Sequence, residues 1–129
     1  MRYTHDVQLV HFRHDQVESR GPVDAEGAVA AFRRFPFEEQ LRQAASLPEP
    51  TFPTTTFRCE DDGAVLAIWS LELGRYEVYM ELAGAKVTAE MDDAARVEAA
   101  IRDFLAGSRG ELFEHLAGTP GAVVRGRGL

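Results

Sequence analysis

Residues 56–91, TFRCEDDGAVLAIWSLELGRYEVYMELAGAKVTAEM, leave the chain few choices. Short runs rich in β-branched and aromatic residues are broken by the hairpin signal DDG at 61–63, by Gly74 and by the turn at Ala83 and Gly84. Between the last two turns, Tyr76, Val78, Met80 and Leu82 alternate with Glu77, Tyr79 and Glu81, the period of a strand with one covered face and one wet face. In the run before it, Val65, Ala67, Trp69, Leu71 and Leu73 share one face. The stretch predicts an antiparallel meander of three or four strands.

The flanks add a strand and helices. RYTHDVQLVHFRH (2–14) puts Val7 and Leu9 on one parity and Val10 and Phe12 on the other, which suits a strand covered on both faces or carrying a bulge. SRGPVD (19–24) supplies turn chemistry and an Asp suited to cap a helix starting near Ala25. In that helix Ala28, Val29 and Phe32 fall at helical spacing and Phe35 continues the stripe. Pro36 interrupts it, because proline lacks an amide donor and drives the preceding residue out of the α region. Proline also suits the first turn of a second helix, from about Pro36 to Ser46, where Glu38 and Glu39 meet the positive end of the dipole. Phe37, Leu41, Ala44 and Ala45 share a stripe on it, so the aromatic cluster FRRFPFEEQL (32–41) reads as core and not as a docking patch.

LPEPTFPTTT (47–56) reads as an extended loop or the approach to an edge strand. After the meander, 91–107 is an amphipathic helix with capping acids and a stop at Gly107, and a shorter helix over 109–117 presents Leu112, Phe113 and Leu116. The end, GTPGAVVRGRGL, has many glycines and few anchors. A single domain is therefore expected over 1–118, with a flexible tail over 119–129. This order of elements predicts an α+β fold, a mostly antiparallel sheet of about four to five strands with helices packed on one face and the other face partly open.

Charge narrows the partners. The formal net charge is -7, and residues 35–107 alone hold fourteen acids against six bases. Such a field repels phosphate backbones, so nucleic acid is not an expected partner, whereas a basic protein is electrostatically suited. No run approaches the ~18 apolar residues of a membrane span, the N-terminus lacks the apolar stretch of a signal peptide, and one cysteine leaves no intrachain disulfide. The expectation is a cytoplasmic protein.

Candidate chemistry is sparse. His5 and His11 share a strand parity while His14 points the other way, so these three do not converge on a metal, and His115 belongs near the end of the last helix. Cys59 precedes Glu60, Asp61 and Asp62, whose charge opposes a thiolate, and adjacent Arg58 faces the opposite side of a strand. Neither metal nor cofactor is expected, and no constellation of catalytic residues is found, which turns the reading away from an enzyme. The short basic run RGRGL is read as a frayed end. The remaining set is acidic: Glu77 and Glu81 with Tyr79 between them, joined from neighbouring strands by Glu72 and Glu90. A tyrosine framed by carboxylates suits an arginine or lysine of a partner.

In type, as a small acidic α+β protein without a catalytic constellation, the chain is similar to the immunity proteins that bacteria make against their own secreted toxins. That likeness implies a non-enzymatic binding protein that meets a basic partner by charge complementarity. Two other readings stand beside it. One is a small enzyme or ligand-binding domain with a pocket between helices and sheet. The other is an oligomer, such as a homodimer, built through an edge strand near TFPTTTF or through the Trp69 region.

Overall fold

The computed structural model describes residues 1–126. In chain order the elements are β1 (Tyr3–Gln8), β2 (Glu18–Pro22), α1 (Ala25–Arg34), α2 (Phe37–Ala44), β3 (Thr54–Cys59), β4 (Val65–Glu72), β5 (Arg75–Leu82), β6 (Ala85–Met91), α3 (Ala94–Leu105), α4 (Arg109–Ala117) and β7 (Val123–Arg125). The strands form one sheet in the order β2-β1-β3-β4-β5-β6-β7, antiparallel at every step.

The α+β class holds, but among the described residues the sheet has seven strands and not four to five. The meander is β3 to β6, as the turn signals require. The additional strands are β2 and β7 at the two edges. β2 incorporates the Ser-Arg-Gly-Pro residues that carry turn chemistry, and Pro22 is tolerated because it ends an edge strand. β7 lies within the segment read as a tail, where Val123–Arg125 pair with Lys86–Thr88, and residues 127–129 of the basic run lie outside the described residues. The TFPTTTF segment is also not an edge. Its strand β3 is enclosed between β4 and β1, because the N-terminal strand returns to pair with it over some fifty residues of sequence, a non-local pairing with no local signal.

The register sorts the side chains into two faces. The rows His5–Phe57–Leu66–Met80–Val87 and Val7–Thr55–Ile68–Val78–Ala89 point to the helices. Phe57, Leu66, Ile68, Val78, Met80, Val87 and Ala89 of these rows join Val29 and Phe32 of α1, Phe37 of α2, Val97, Ile101 and Phe104 of α3, and Leu112, Phe113 and Leu116 of α4 in one core. The inward residues of β4 are thus Leu66, Ile68 and Ser70, and the Val65, Ala67, Trp69 series faces outward.

The helices follow their local signals. Asp24 caps α1, its Oδ1 accepting from the Gly27 amide at 2.7 Å. Phe35 is extended, as the residue before a proline tends to be, and α2 starts at Phe37. Phe32 and Phe37 are buried and pack edge-on against Tyr76 of β5, each at 5.4 Å between ring centroids. The aromatic cluster is interior. On α2 the buried partner of Phe37 is Gln40, while Ala45 lies past the helix end and is exposed. The tight β5–β6 turn needs two residues at positive φ, and it uses Ala83 (φ 50°) followed by Gly84 (φ 84°).

Candidate binding face

The face turned away from the helices carries the rows Thr4–Arg58–Val65–Glu81–Lys86, Asp6–Thr56–Ala67–Tyr79–Thr88 and Gln8–Thr54–Trp69–Glu77–Glu90. Val65 and Ala67 are buried at its centre although no helix covers them. Their cross-strand neighbours, Arg58 and Glu81 for Val65 and Tyr79 for Ala67, are long enough to fold over them.

The acidic set lies at this face, but most of its charge is already matched. Arg75 holds both Glu72, at 2.5 Å, and Glu90, and these contacts raise its pKa further. Tyr79 donates its hydroxyl to Glu81 at 2.5 Å, and Lys86 lies 3.5 Å from the same carboxylate. Burial first, and then that carboxylate, pushes the Tyr79 phenol well above its ordinary value, so it remains a donor. Glu77 differs from the others. Among the described residues no cation comes within ion-pair distance of it, it stands directly opposite Trp69 on one side and Glu90 on the other, and Tyr79 follows two residues along the same face. The Trp69 and Tyr79 rings lie 6.2 Å apart.

Trp69 also closes one end of a groove of about 800 Å³. Its floor is the outward residues Gln8, Thr54 and Trp69, and its rims are the β1–β2 loop at His11–His14 and the loop before β3 at Glu49–Phe52. The Gln8 amide nitrogen anchors the first rim, 2.9–3.2 Å from the carbonyls of Arg13, His14 and Gln16. Thr51 ties the second rim to the first through its hydroxyl to Leu9 O at 2.7 Å and its amide to Val10 O at 3.1 Å. Phe52 stays exposed at the opening. Sequence periodicity misses this groove, because both rims are irregular segments held by a single glutamine and a single threonine.

The other candidates are placed apart. His5 is in the core, stacked on Phe57 at 4.9 Å with Nε2 2.6 Å from Thr55 Oγ1, and burial lowers its pKa. His11 and His14 are exposed on the groove rim, and His115 is exposed on α4. Among the described residues no cluster of three or more His, Cys, Asp and Glu side chains is arranged to hold a metal. Cys59 is buried, with Asp61 Oδ2 3.9 Å from its sulfur.

The same corner holds a residue that the sequence did not flag. Arg109, at the start of α4, is buried and reaches Tyr3 Oη at 2.9 Å and Asp62 Oδ2 at 2.5 Å. Asp62 is held below the ordinary carboxylate range, first by the Ala64 amide. This is a structural clamp between the N-terminus, the β3–β4 turn and α4.

No protein-family model, curated protein or solved structure matches this chain. No helix of the described residues is long and apolar enough to cross a membrane.

Proposed function

We infer that the domain is a non-enzymatic binding protein that engages a basic protein partner through its open sheet face, in the manner of a toxin-immunity protein. The observation that supports this most is Glu77. Among the described residues it is the one carboxylate of the acidic set without an internal cation, and it stands opposite Trp69 and two residues before Tyr79 on a face no helix covers. A guanidinium or ammonium placed there gains charge pairing and the ring faces together. Glu72, Glu81 and Glu90 contribute a weaker field, since Arg75 and Lys86 offset them. The groove beside Trp69 can then take the backbone that carries the basic side chain.

Trp69 is the single tryptophan, so its fluorescence reports this face alone. Titration with an arginine-rich peptide is expected to change that emission saturably at low salt and far less at high salt. Glu77→Lys should weaken the response about tenfold or more, while Glu38→Lys on α2 should leave it unchanged. An equal response from both variants refutes the assignment.

A further inference from the structure

A second cavity, of about 340 Å³, lies on the helix side of the sheet, between β1, β2 and the α1–α2 bend. Its polar lining is unusual for a chain with 21 acids, since it holds Arg20, Arg34, His5 and Gln40 and no carboxylate. Two of these are more than nine-tenths buried, His5 at 8% and Gln40 at 5% exposed. Each has one end tied and the other open. Gln40 Oε1 accepts the Val10 amide at 2.9 Å, which fixes the orientation of the amide and leaves its NH2 without a partner. His5 Nε2 is taken by the Thr55 hydroxyl, which leaves Nδ1 without one. Both residues line the cavity, and no buried side-chain nitrogen or oxygen among the described residues is unsatisfied, so neither free atom is sealed off from solvent.

The Gln40 end has a fixed sign, and the His5 end takes the same sign in one tautomer. The Gln40 NH2 can only donate. The Thr55 hydroxyl can rotate to donate to His5 Nε2, and the proton then sits on Nδ1, making the ring a donor towards the cavity without gaining charge. Arg20 shares its charge with Glu18 at 2.9 Å, whereas Arg34 has no ion-pair partner among the described residues. Val7, Phe35 and Pro36 supply apolar wall. We propose that this cavity binds a small carboxylate with an apolar body, the carboxylate taking the His5 and Gln40 donors with Arg34 as counter-ion and the body lying against Phe35 and Pro36.

The site is independent of the open face, and Trp69 lies outside it. Phenylacetate, phenylacetamide and phenethylamine present one shape with negative, zero and positive charge. Millimolar phenylacetate is expected to raise the melting temperature by about 3 °C and to shift the His5 ring and Gln40 side-chain NMR signals. The amide and the amine should do neither. Arg34→Gln removes an exposed side chain and leaves the buried donors in place, and it should weaken phenylacetate about tenfold. His5→Gln tests the buried donor directly, but Arg34→Gln keeps the test decisive if that variant does not fold. Equal binding of the three probes, unchanged affinity in Arg34→Gln, or no saturable shift with phenylacetate would overturn the proposal.

Discussion

Replacing Asp62 by Asn is expected to destabilise the domain more than replacing Arg109 by Met, although both remove the same ion pair. The asymmetry follows from exposure, with the Arg109 side chain only 9% accessible and that of Asp62 40% accessible. Asp62→Asn keeps a carbonyl oxygen for the Ala64 amide, now 3.0 Å from Oδ1, so the hairpin turn is preserved. It leaves a buried guanidinium with only neutral partners, the Tyr3 hydroxyl and the Met1 sulfur. Stranding one member of a fully buried pair costs roughly 3–5 kcal/mol; the open side of Asp62 admits water, so about 2 kcal/mol is expected here. At this chain length that corresponds to a fall in Tm of about 6–10 °C. Arg109→Met keeps most of the buried stem and removes the charge, Asp62 is free to hydrate, and Tyr3 retains its hydrogen bond to Phe104 O at 3.2 Å. Its cost should be about 1 kcal/mol or less, and the double variant should resemble Arg109→Met alone. Urea unfolding followed by Trp69 emission and circular dichroism measures all three. Because the folded carboxyl lies below its ordinary 3.8, held there first by the Ala64 amide, the wild type keeps the carboxylate's contribution at higher pH and loses it as pH falls below that value. If Arg109→Met costs as much as Asp62→Asn, the pair is net stabilising and this reasoning fails.

Two further outcomes are expected. Ala83→Asn should raise stability by about 0.5–1 kcal/mol, because Ala83 occupies a positive φ that asparagine tolerates better, and Asn-Gly is the favoured pair for a turn of this kind; an unchanged urea midpoint would contradict it. His5 should give the domain a pH dependence near neutrality, with Asp6 and Arg20 the charged groups acting on it after burial. Its folded pKa is lowered, so the unfolded state binds the proton more readily. Stability is then full above the ordinary value of 6.5 and falls as pH drops through it towards the lowered value, by at most about 1.4 kcal/mol per pH unit. A Tm that is flat from pH 7.5 to 5.5 would refute this.

The parts of the fold legible in the sequence are those in which local chemistry and tertiary packing agree. The meander is marked by glycine turns and by the alternation of Tyr76, Val78, Met80 and Leu82, and α1 by Asp24 and Pro36, and these elements stand where the signals put them. β2 was not legible because its Gly21 and Pro22 argue for a turn, and only an edge position beside β1 makes them acceptable in a strand. The face of β4 was ambiguous for another reason. Leu66 and Ile68 on one side and Val65, Ala67 and Trp69 on the other are all apolar, so alternation cannot choose between them, and the register against β5 does. The acidic residues themselves were legible, but not their pairing. Arg75 turns back on Glu72 and Glu90 through a bulge next to Ser70, and a bulge shifts every following side chain by a position that composition cannot reveal.

That ambiguity in β4 also bears on the proposed binding face. A strand with apolar residues on both sides must have both sides covered, and this sheet has helices on one only. At Val65 and Ala67, whose exposure stays below a tenth, the cross-strand neighbours are Arg58, Glu81 and Tyr79, long side chains able to cover them from within the sheet. The same device stops at Trp69. Its cross-strand neighbours are Thr54, too short to reach over an indole, and Glu77, whose carboxylate is tied to nothing among the described residues. Trp69 keeps part of its indole open beside Tyr79 at the one point where, among the described residues, the acidic lattice is also unpaired. A basic partner that covers Trp69 and neutralises Glu77 in one contact satisfies both, and exchanging Trp69 for threonine should weaken such a partner while lowering stability by roughly 1–2 kcal/mol, read as the urea midpoint by circular dichroism.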